Sequence, residues 1–178
     1  ERKGFARILE AHSGLSAIIA ENVQVEKDGV LLEYDGIWES SLTDSATKGL
    51  PDASIVGNDS RLHTINEILN VTTKPLIVDG DTGGEPAQFE YLVQGLERLG
   101  VSAVILEDKV YPKRNSLDAS ANQDLEDPSV FAEKIQAGKE VSTTRDFMII
   151  SRLESLIAGA GVADALNRAE QYIVAGTD

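Results

Sequence analysis

Five short apolar segments, each followed by polar residues, constrain the fold of this chain more than any other feature. They are Ala6–Ala11, Gly36–Glu39, Pro75–Asp79, Ala103–Glu107 and Phe147–Arg152. Between them lie segments whose apolar residues recur at helical spacing: Asp59–Asn70, Pro86–Leu99, Asp127–Lys139 and Gly161–Ala175. Strands that alternate with helices in this way predict parallel βα units and therefore an α/β fold.

The polar residues after the strands distinguish weakly between a barrel and an open sheet. One such residue follows or ends each strand: His12, Ser40, Asp79, Glu107 and Arg152. In a (β/α)8 TIM barrel all these strand ends face one pocket, whereas an open doubly wound sheet concentrates its site at one switch point. The pattern therefore favours the barrel.

A complete barrel has eight strands and typically about 250 residues, whereas this chain has 178 residues and five predicted strands. We therefore expect a truncated barrel, with one domain over residues 1–178 that is incomplete at its C-terminus. The last residues, Ala175–Asp178, resemble the lead-in to a sixth strand. Val23–Tyr34 lies outside this scheme, because its central Asp-Gly pair between β-prone runs predicts a small hairpin.

Composition limits the partners of the chain. Its formal net charge is −14, which argues against nucleic acid or an anionic membrane as the main partner. A small anionic substrate stays compatible, because a local basic cluster or a metal ion can dominate a pocket. The absence of cysteine excludes disulfides and thiolate chemistry. Without a membrane-span pattern or a signal-peptide pattern, we expect a cytoplasmic location.

Asp79 and Asp81 stand at the end of a predicted buried strand, in the sequence DGDTGG. Residues two apart in a strand point to the same side, and neighbouring carboxylates repel each other unless a cation or a shared proton relieves them. An oxygen-only site of this kind suits Mg²⁺. The alternative is that these residues only form a turn, because Asp and Gly are common in the turns that follow strands.

Glu107 provides a second acidic strand end, which favours metal binding over turn chemistry. It could reach the same cation through a water molecule. Its alternative role is an ion pair with Lys109 or Arg152.

The planar guanidinium of Arg152 can form two parallel hydrogen bonds, which suits a phosphoryl group or a carboxylate as ligand. A structural salt bridge is again the alternative.

The segment after Glu107 is basic in an acidic protein and continues into a long polar connection. Long connections inside compact domains are often lids. We therefore expect Lys109–Glu126 to be mobile without ligand and ordered with it. Its donors Lys113, Arg114, Asn115 and Ser116 would contact an anionic group on closure, and the alternative is a solvated charge run.

Two weaker signals complete the candidate site. The backbone N–H groups of Ser40–Thr43 could bind a carboxylate as a small nest, although a helix cap or a turn would use the same residues. Of the two histidines, His12 is expected to orient another group rather than to act as a base. His63 is expected to be a surface or core residue of a helix.

Taken together, these residues resemble the phosphoenolpyruvate mutase family of the isocitrate lyase superfamily. The resemblance runs over essentially the whole chain, in the segments EAHSGLS (from residue 10), GIWESSL (36), DGDTG (79), EDKVYPKRNS (107) and RLE (152). The lid pattern EDKxxPKxNS is its specific part. The resemblance implies a barrel that uses Mg²⁺ and interconverts phosphoenolpyruvate and phosphonopyruvate, a step in phosphonate biosynthesis.

The resemblance also implies roles for the matching residues. Asp79 would be the main carboxylate at Mg²⁺, with Asp81 and Glu107 in support through water. The pyruvyl carboxylate would be held by Ser40, Ser41 and Leu42, although the family often has glycine where Ser41 stands. The phosphoryl group would be contacted or enclosed by Asp52, Lys113, Asn115, Ser116 and Arg152. A further phosphoryl-contacting histidine of the family pattern would lie beyond Asp178.

Three alternative functions stay open. A phosphonopyruvate hydrolase would use the same scaffold and admit water, although Asn115 in the lid favours the mutase, because the hydrolase relatives depart there. A carbon–carbon lyase of the same superfamily is the second alternative, and the absence of cysteine excludes only those lyases that use a catalytic loop cysteine. The chain could also be a non-catalytic barrel fragment. For the complete protein we expect a small-molecule substrate and a homo-oligomer.

Overall fold

The computed structural model describes residues 4–118 and 120–178 as an α/β fold. Its strands are β1 (Ile8–Ala11), β2 (Gln24–Lys27), β3 (Val30–Glu33), β4 (Gly36–Glu39), β5 (Leu76–Asp79), β6 (Ala103–Glu107) and β7 (Met148–Arg152). Its helices are α1 (Gly14–Asn22), α2 (Ser41–Thr47), α3 (Asn58–Leu69), α4 (Pro86–Leu99), α5 (Pro128–Val141) and α6 (Gly161–Ala175). None of these helices is both long and apolar enough to cross a membrane.

Five strands form one parallel sheet in the order β1-β4-β5-β6-β7. Once the hairpin is set aside, this order follows the chain without a reversal. The α/β class is confirmed, and the bounds of all five predicted strands are confirmed to within two residues. Closure of this sheet into a barrel by further strands stays a prediction.

The predicted hairpin is confirmed as β2 and β3, which pair antiparallel. Its turn residues Asp28 and Gly29 have φ values of 55° and 74°. A two-residue turn with both φ values positive matches the right-handed twist of the flanking strands. The local Asp-Gly signal was therefore sufficient to predict this element.

Helices α1 and α2 were not predicted. In α1 the apolar residues Leu15, Ile18 and Ile19 are exposed, while only Ala17 and Ala20 are buried. The apolar pattern therefore does not mark the face that packs on the protein. Helix α2 is a mostly polar segment of seven residues, which is too short to show a helical period.

The two faces of the sheet differ in their cover. Ile37, Val78 and Ile149 lie on the face that packs against the helices and are fully buried. On the other face Trp38 and Ile77 pair side by side in the register and are half-buried. Both faces therefore carry apolar side chains, as in the central sheets of α/β proteins.

The residues after α6 run beside β7. The backbone N–H of Asp178 donates to the carbonyl of Ile149 at 2.9 Å, and the N–H of Ile149 donates to Asp178 Oδ2 at 2.8 Å. Thr177 Oγ1 also donates to the Ile149 carbonyl at 3.0 Å. These contacts hold Thr177 and Asp178 against β7, and a sixth strand after them stays a prediction.

Close packing between α5 and the sheet generates a stability prediction at Gly138. A Cβ there would overlap the ring of Phe89 and lie 2.9 Å from Ile149 Cδ1. We expect Gly138→Ala to lower the free energy of unfolding by about 1–3 kcal/mol, although alanine by itself favours a helix by about 1 kcal/mol. Urea denaturation measures the change.

The matched control is Gly95→Ala in α4. Its new methyl group would meet only the flexible end of Leu62, at 3.2 Å. A loss of stability at Gly138 no larger than the loss at Gly95 would contradict the packing argument.

Candidate active site

Three carboxylates gather at the C-terminal edge of the sheet. Asp79 ends β5, Glu107 ends β6, and Asp81 follows Asp79 after one residue. All three residues are buried. The turn between the two aspartates passes so close to β6 that a Cβ at Gly80 would lie 2.8 Å from Val104 Cγ2. Glycine at this position therefore lets the two acids lie against the sheet.

Asp79 keeps acceptor capacity beyond its protein contacts. Its Oδ2 accepts a hydrogen bond from Ser41 Oγ at 3.0 Å, and its Oδ1 accepts one from the N–H of Asp81 at 3.2 Å. A carboxylate has about four lone-pair sites, so both oxygens can accept a further ligand. Mg²⁺ fits this donor, because it retains several waters and needs only one or two carboxylates.

Asp81 is instead bound to two cations. Arg61 Nη2 donates to Asp81 Oδ2 at 2.8 Å, and Lys113 Nζ lies 2.6 Å from Asp81 Oδ1. Burial by itself would raise the pKa of Asp81, but the charges of Arg61 and Lys113 outweigh it and hold the pKa below its ordinary value. No three His, Asp or Glu side chains in residues 4–118 and 120–178 converge as a complete metal site.

Lys113 extends from the predicted lid into the middle of the acids. Besides Asp81, its Nζ contacts Asp52 Oδ1 at 2.9 Å and donates to Ser41 Oγ at 3.0 Å. Burial disfavours the charged ammonium, yet the neighbouring carboxylates, Asp81 foremost, raise the pKa of Lys113. Ser41 therefore links the ammonium of the lid to the carboxylate of Asp79.

Lid residues other than Lys113 also contact the body of the protein. Asn115 Nδ2 donates to Asp52 Oδ2 at 2.8 Å, and Ser116 Oγ donates to Glu154 Oε2 at 2.8 Å. The alternative of a solvated charge run therefore does not hold for Lys113, Asn115 and Ser116, whereas Arg114 is exposed. Residue 119 of the predicted lid lies outside the described residues. The opening of the lid stays a prediction.

Lys109 is buried under the base of the lid. Its Nζ donates to the carbonyl of Arg114 at 3.0 Å and lies 3.2 Å from Glu154 Oε2. It also donates to Ser116 Oγ at 2.5 Å. Sequence reasoning treated Lys109 as the first residue of the lid and as a possible ion-pair partner of Glu107. The structure makes it an anchor for the lid backbone.

Arg152 and Glu107 share the edge of the sheet on paired strands. Arg152 Nε lies 2.6 Å from Glu154 Oε1 and its Nη1 lies 3.8 Å from Glu107 Oε2, so the salt-bridge alternative is present. Burial raises the pKa of Glu107 to about 7, and its Oε1 has no hydrogen-bond partner among the described residues. An unused buried oxygen fits the support of a metal ion through water.

The predicted carboxylate nest coincides with the start of α2. Ser40 is the N-cap residue, and Ser41 and Leu42 are the first residues of the helix. Among the histidines, His12 Nδ1 lies 3.0 Å from Glu10 Oε1, which fits an orienting role. His63 has a mostly exposed side chain on α3.

Arg61 and Glu39 are two of the buried charged residues to which the sequence analysis gave no role. Arg61 extends from α3 to the acidic turn, where it also donates to the carbonyl of Asp79. Glu39 lies on the helix-facing side of β4, and neither of its carboxyl oxygens has a hydrogen-bond partner among the described residues. Burial raises the pKa of Glu39 to about 8. No local pattern separates these residues from ordinary surface charges.

Known proteins of one family are similar to this chain over nearly its whole length. A family model described as "Phosphoenolpyruvate phosphomutase" matches residues 1–178. The chain is 39% identical to phosphoenolpyruvate phosphomutase of Tetrahymena pyriformis over 100% of its own length and 57% of that protein. It therefore spans little more than half the length of this relative.

Solved structures are also similar. A phosphoenolpyruvate phosphomutase from Streptomyces platensis subsp. rosaceus matches with a TM-score of 0.90 at 37% identity, over 99% of this chain and 58% of that chain. A phosphonopyruvate hydrolase in complex with oxalate and Mg²⁺ matches with a TM-score of 0.84 at 34% identity, over 98% of this chain and 56% of that chain.

The buried carboxyl of Glu39 generates a prediction about pH. Its pKa rises from an ordinary value of 4.5 to about 8 in the folded state. Its contribution to stability is therefore fully present below the unfolded pKa and is lost as the pH rises through the folded pKa. We expect Glu39→Gln, which stays neutral, to gain stability relative to the parent between about pH 5 and pH 8.

Urea unfolding of both proteins across this range measures the difference. Glu133→Gln, at an exposed position of α5, is the control and should show no such trend. A difference between Glu39→Gln and the parent that does not change with pH would contradict the prediction.

Proposed function

The chain belongs to the phosphoenolpyruvate phosphomutase family, and we propose that the full-length protein interconverts phosphoenolpyruvate and phosphonopyruvate. One observation supports this activity most directly: the lid side chain Asn115 hydrogen-bonds to Asp52 at 2.8 Å, next to Lys113 and above the acidic strand ends. The proposal thus combines a metal-binding carboxylate, a cation and a neutral donor around one small site.

We propose that the five-stranded sheet is the first part of a (β/α)8 barrel, with residues 1–178 as an incomplete barrel domain. The chain-ordered strands support this fold, because doubly wound sheets reverse their order at a switch point. The half-buried side chains of Trp38, Ile77 and Ile105 support it further. Layers of such side chains fill the interior of TIM barrels.

In this proposal Asp79 holds Mg²⁺, and Asp81 and Glu107 contact its waters. The bound ion would supply positive charge that balances an enolate and phosphoryl oxygens. Support for Mg²⁺ comes from the free lone pairs on Asp79 and the unused Oε1 of Glu107. The similar phosphonopyruvate hydrolase structure contains Mg²⁺ with oxalate.

The proposed reaction is an intramolecular transfer. The bond between phosphorus and the enol oxygen breaks, and a bond between phosphorus and the methylene carbon forms, so no atom is gained or lost. The phosphoryl group passes through a loose, metaphosphate-like state whose charge needs preorganised donors. Arg152 and Asn115 would provide these donors. Asp52 would hold Lys113 and Asn115 beside the migrating group.

The pyruvate enolate must stay oriented while the phosphoryl group moves from oxygen to carbon. The backbone N–H groups of Ser40, Ser41 and Leu42 would bind its carboxylate at the start of α2. Water must be excluded at the same time, because hydrolysis of the phosphoryl group would compete. The lid, closed through Lys113 and Asn115, would provide that exclusion.

Phosphonopyruvate hydrolase is the second candidate function. The similarity to a solved phosphonopyruvate hydrolase at 34% identity, whose structure contains Mg²⁺ with oxalate, favours it. The two candidates differ in whether water reaches the phosphoryl group. Phosphonopyruvate incubated with the full-length protein and Mg²⁺ would give phosphoenolpyruvate with a mutase and phosphate with a hydrolase, and ³¹P NMR distinguishes these products.

The metal assignment generates a prediction at Asp79. We expect Asp79→Ala to lower Mg²⁺-dependent turnover by more than about 100-fold, because the main anchor of the charge-stabilising ion is lost. Circular dichroism should show a retained fold. Asp146→Asn, at an exposed position in the loop before β7, is the control and should keep full activity. Full activity in Asp79→Ala would contradict the assignment.

The lid assignment generates a prediction at Asn115. Removing one preorganised donor to a developing charge typically lowers the rate by about 100- to 1,000-fold. We therefore expect Asn115→Ala to lower kcat sharply with a modest change in KM, because the carboxylate and metal contacts remain. Steady-state kinetics and the ³¹P product ratio measure the effect. Phosphate in place of phosphoenolpyruvate would show that water enters the site of the variant.

The matched control is Asn122→Ala in the same lid. Asn122 is exposed, and among the described residues its side chain donates to Asp124 Oδ1 alone, at 2.6 Å. Equal kcat values for Asn115→Ala and the parent would show that Asn115 has no role in the reaction. They would favour a hydrolase or a non-catalytic protein.

A further inference from the structure

Arg61 is the one residue of α3 that connects this helix to both aspartates of the acidic turn in the described structure. Its side chain is buried, with residue exposure of 3%. Its Nη2 donates to Asp81 Oδ2 at 2.8 Å, and its Nη1 donates to the main-chain carbonyl of Asp79. The guanidinium fork therefore contacts a side chain and a backbone group on the two sides of Gly80.

We propose that Arg61 is a positioning residue that fixes the Asp79–Asp81 turn, holding Asp81 in a salt bridge and leaving the Asp79 carboxylate to the metal ion. This inference rests on the proposed function, because it concerns the same metal site. It adds a residue that neither the sequence motifs nor the proposed catalytic set contains. Arg61 would act through the turn and would contact neither the substrate nor the ion.

The backbone of the turn needs external support. Asp81 has a φ of 53°, in the left-handed region that residues with a side chain rarely adopt. Two backbone hydrogen bonds tie the turn to β6: Gly80 N to the carbonyl of Ile105 at 2.8 Å, and Glu107 N to the carbonyl of Asp81 at 2.8 Å. Arg61 holds the turn from the opposite side, through the Asp79 carbonyl.

The two carboxylates also differ in the charge of the groups that donate to them. Asp81 has a cation at each oxygen, Arg61 at Oδ2 and Lys113 at Oδ1. The carboxylate of Asp79 accepts hydrogen bonds from two neutral donors among the described residues, the hydroxyl of Ser41 and the backbone N–H of Asp81. Its negative charge is therefore the less compensated of the two. A divalent ion that approaches this edge meets Asp79 as the available anionic ligand.

A lysine at position 61 tests the geometry at constant charge. A single ammonium cannot reproduce the two fixed, diverging donors of a guanidinium. We expect Arg61→Lys in the full-length protein to bind Mn²⁺, used as a probe for Mg²⁺, at least about tenfold more weakly, which is typical when a partner that orients a metal ligand is lost. Titration of free Mn²⁺ by EPR without substrate measures the dissociation constant.

Arg168→Lys is the matched control. Arg168 is another buried arginine, which donates to Asp164 Oδ2 at 2.8 Å and to Asp108 Oδ2 at 3.3 Å, away from the acidic turn. Its replacement should lower the thermal midpoint while the Mn²⁺ dissociation constant stays within about threefold of the parent value. Weaker binding in Arg61→Lys but not in Arg168→Lys would support the proposal.

Three outcomes would overturn it. Mn²⁺ binding by Arg61→Lys equal to that of the parent would overturn the inference alone and leave the proposed function intact. Mn²⁺ binding that is weakened equally in Arg61→Lys and Arg168→Lys would show that the effect comes from a general loss of stability and that Arg61 has no positioning role. Absence of Mn²⁺ binding by the parent would overturn the proposed metal site together with the inference.

Arg61→Gln provides a second test if the lysine variant does not fold. It removes the positive charge, which by itself should favour a divalent cation, and it leaves one amide donor. Weaker Mn²⁺ binding in this variant would support the proposal that the Arg61 guanidinium positions the Asp79–Asp81 turn. Tighter binding than the parent would show that charge repulsion from Arg61 dominates and would overturn the proposal.

Discussion

Charge compensation at the edge of the sheet is the constraint on which the rest of the structure depends. Asp79, Asp81 and Glu107 are buried side by side, and buried carboxylates are stable only when cations, protons or hydrogen bonds balance them. Arg61 supplies one positive charge from α3, and Lys113 supplies another from the lid. The acids that the proposed chemistry uses therefore also hold a helix and a lid against the sheet.

This arrangement couples the position of the lid to the electrostatics of the site. Lys113 contacts Asp52 and Asp81 from the lid, so in the proposed mechanism closure of the lid would bring an ammonium to the acids. Withdrawal of the lid would leave Asp81 with Arg61 as its cation. An anionic substrate would consequently be bound more favourably by the closed form. In the proposed reaction, closure would also exclude the water that diverts a mutase toward hydrolysis.

Much of the fold was predictable because it depends on local signals. Apolar runs located the five parallel strands to within two residues, and Asp28-Gly29 located the hairpin. Helix α1 was missed because its large apolar residues, such as Leu15 and Ile19, are exposed and small alanines face the core. Barrel closure was not decided by five strands, since it depends on contacts with further segments.

The sequence by itself determined which residue types stand at the strand ends: Asp79, Asp81 and Glu107 as a possible oxygen site, and a basic segment after Glu107 as a possible lid. Only the tertiary structure decided which partner each acid has. Arg61 is 18 residues from Asp79 in sequence, and Lys113 is 72 residues from Ser41. No local period or motif encodes such distances, because they arise from the packing of α3 and the lid on the sheet.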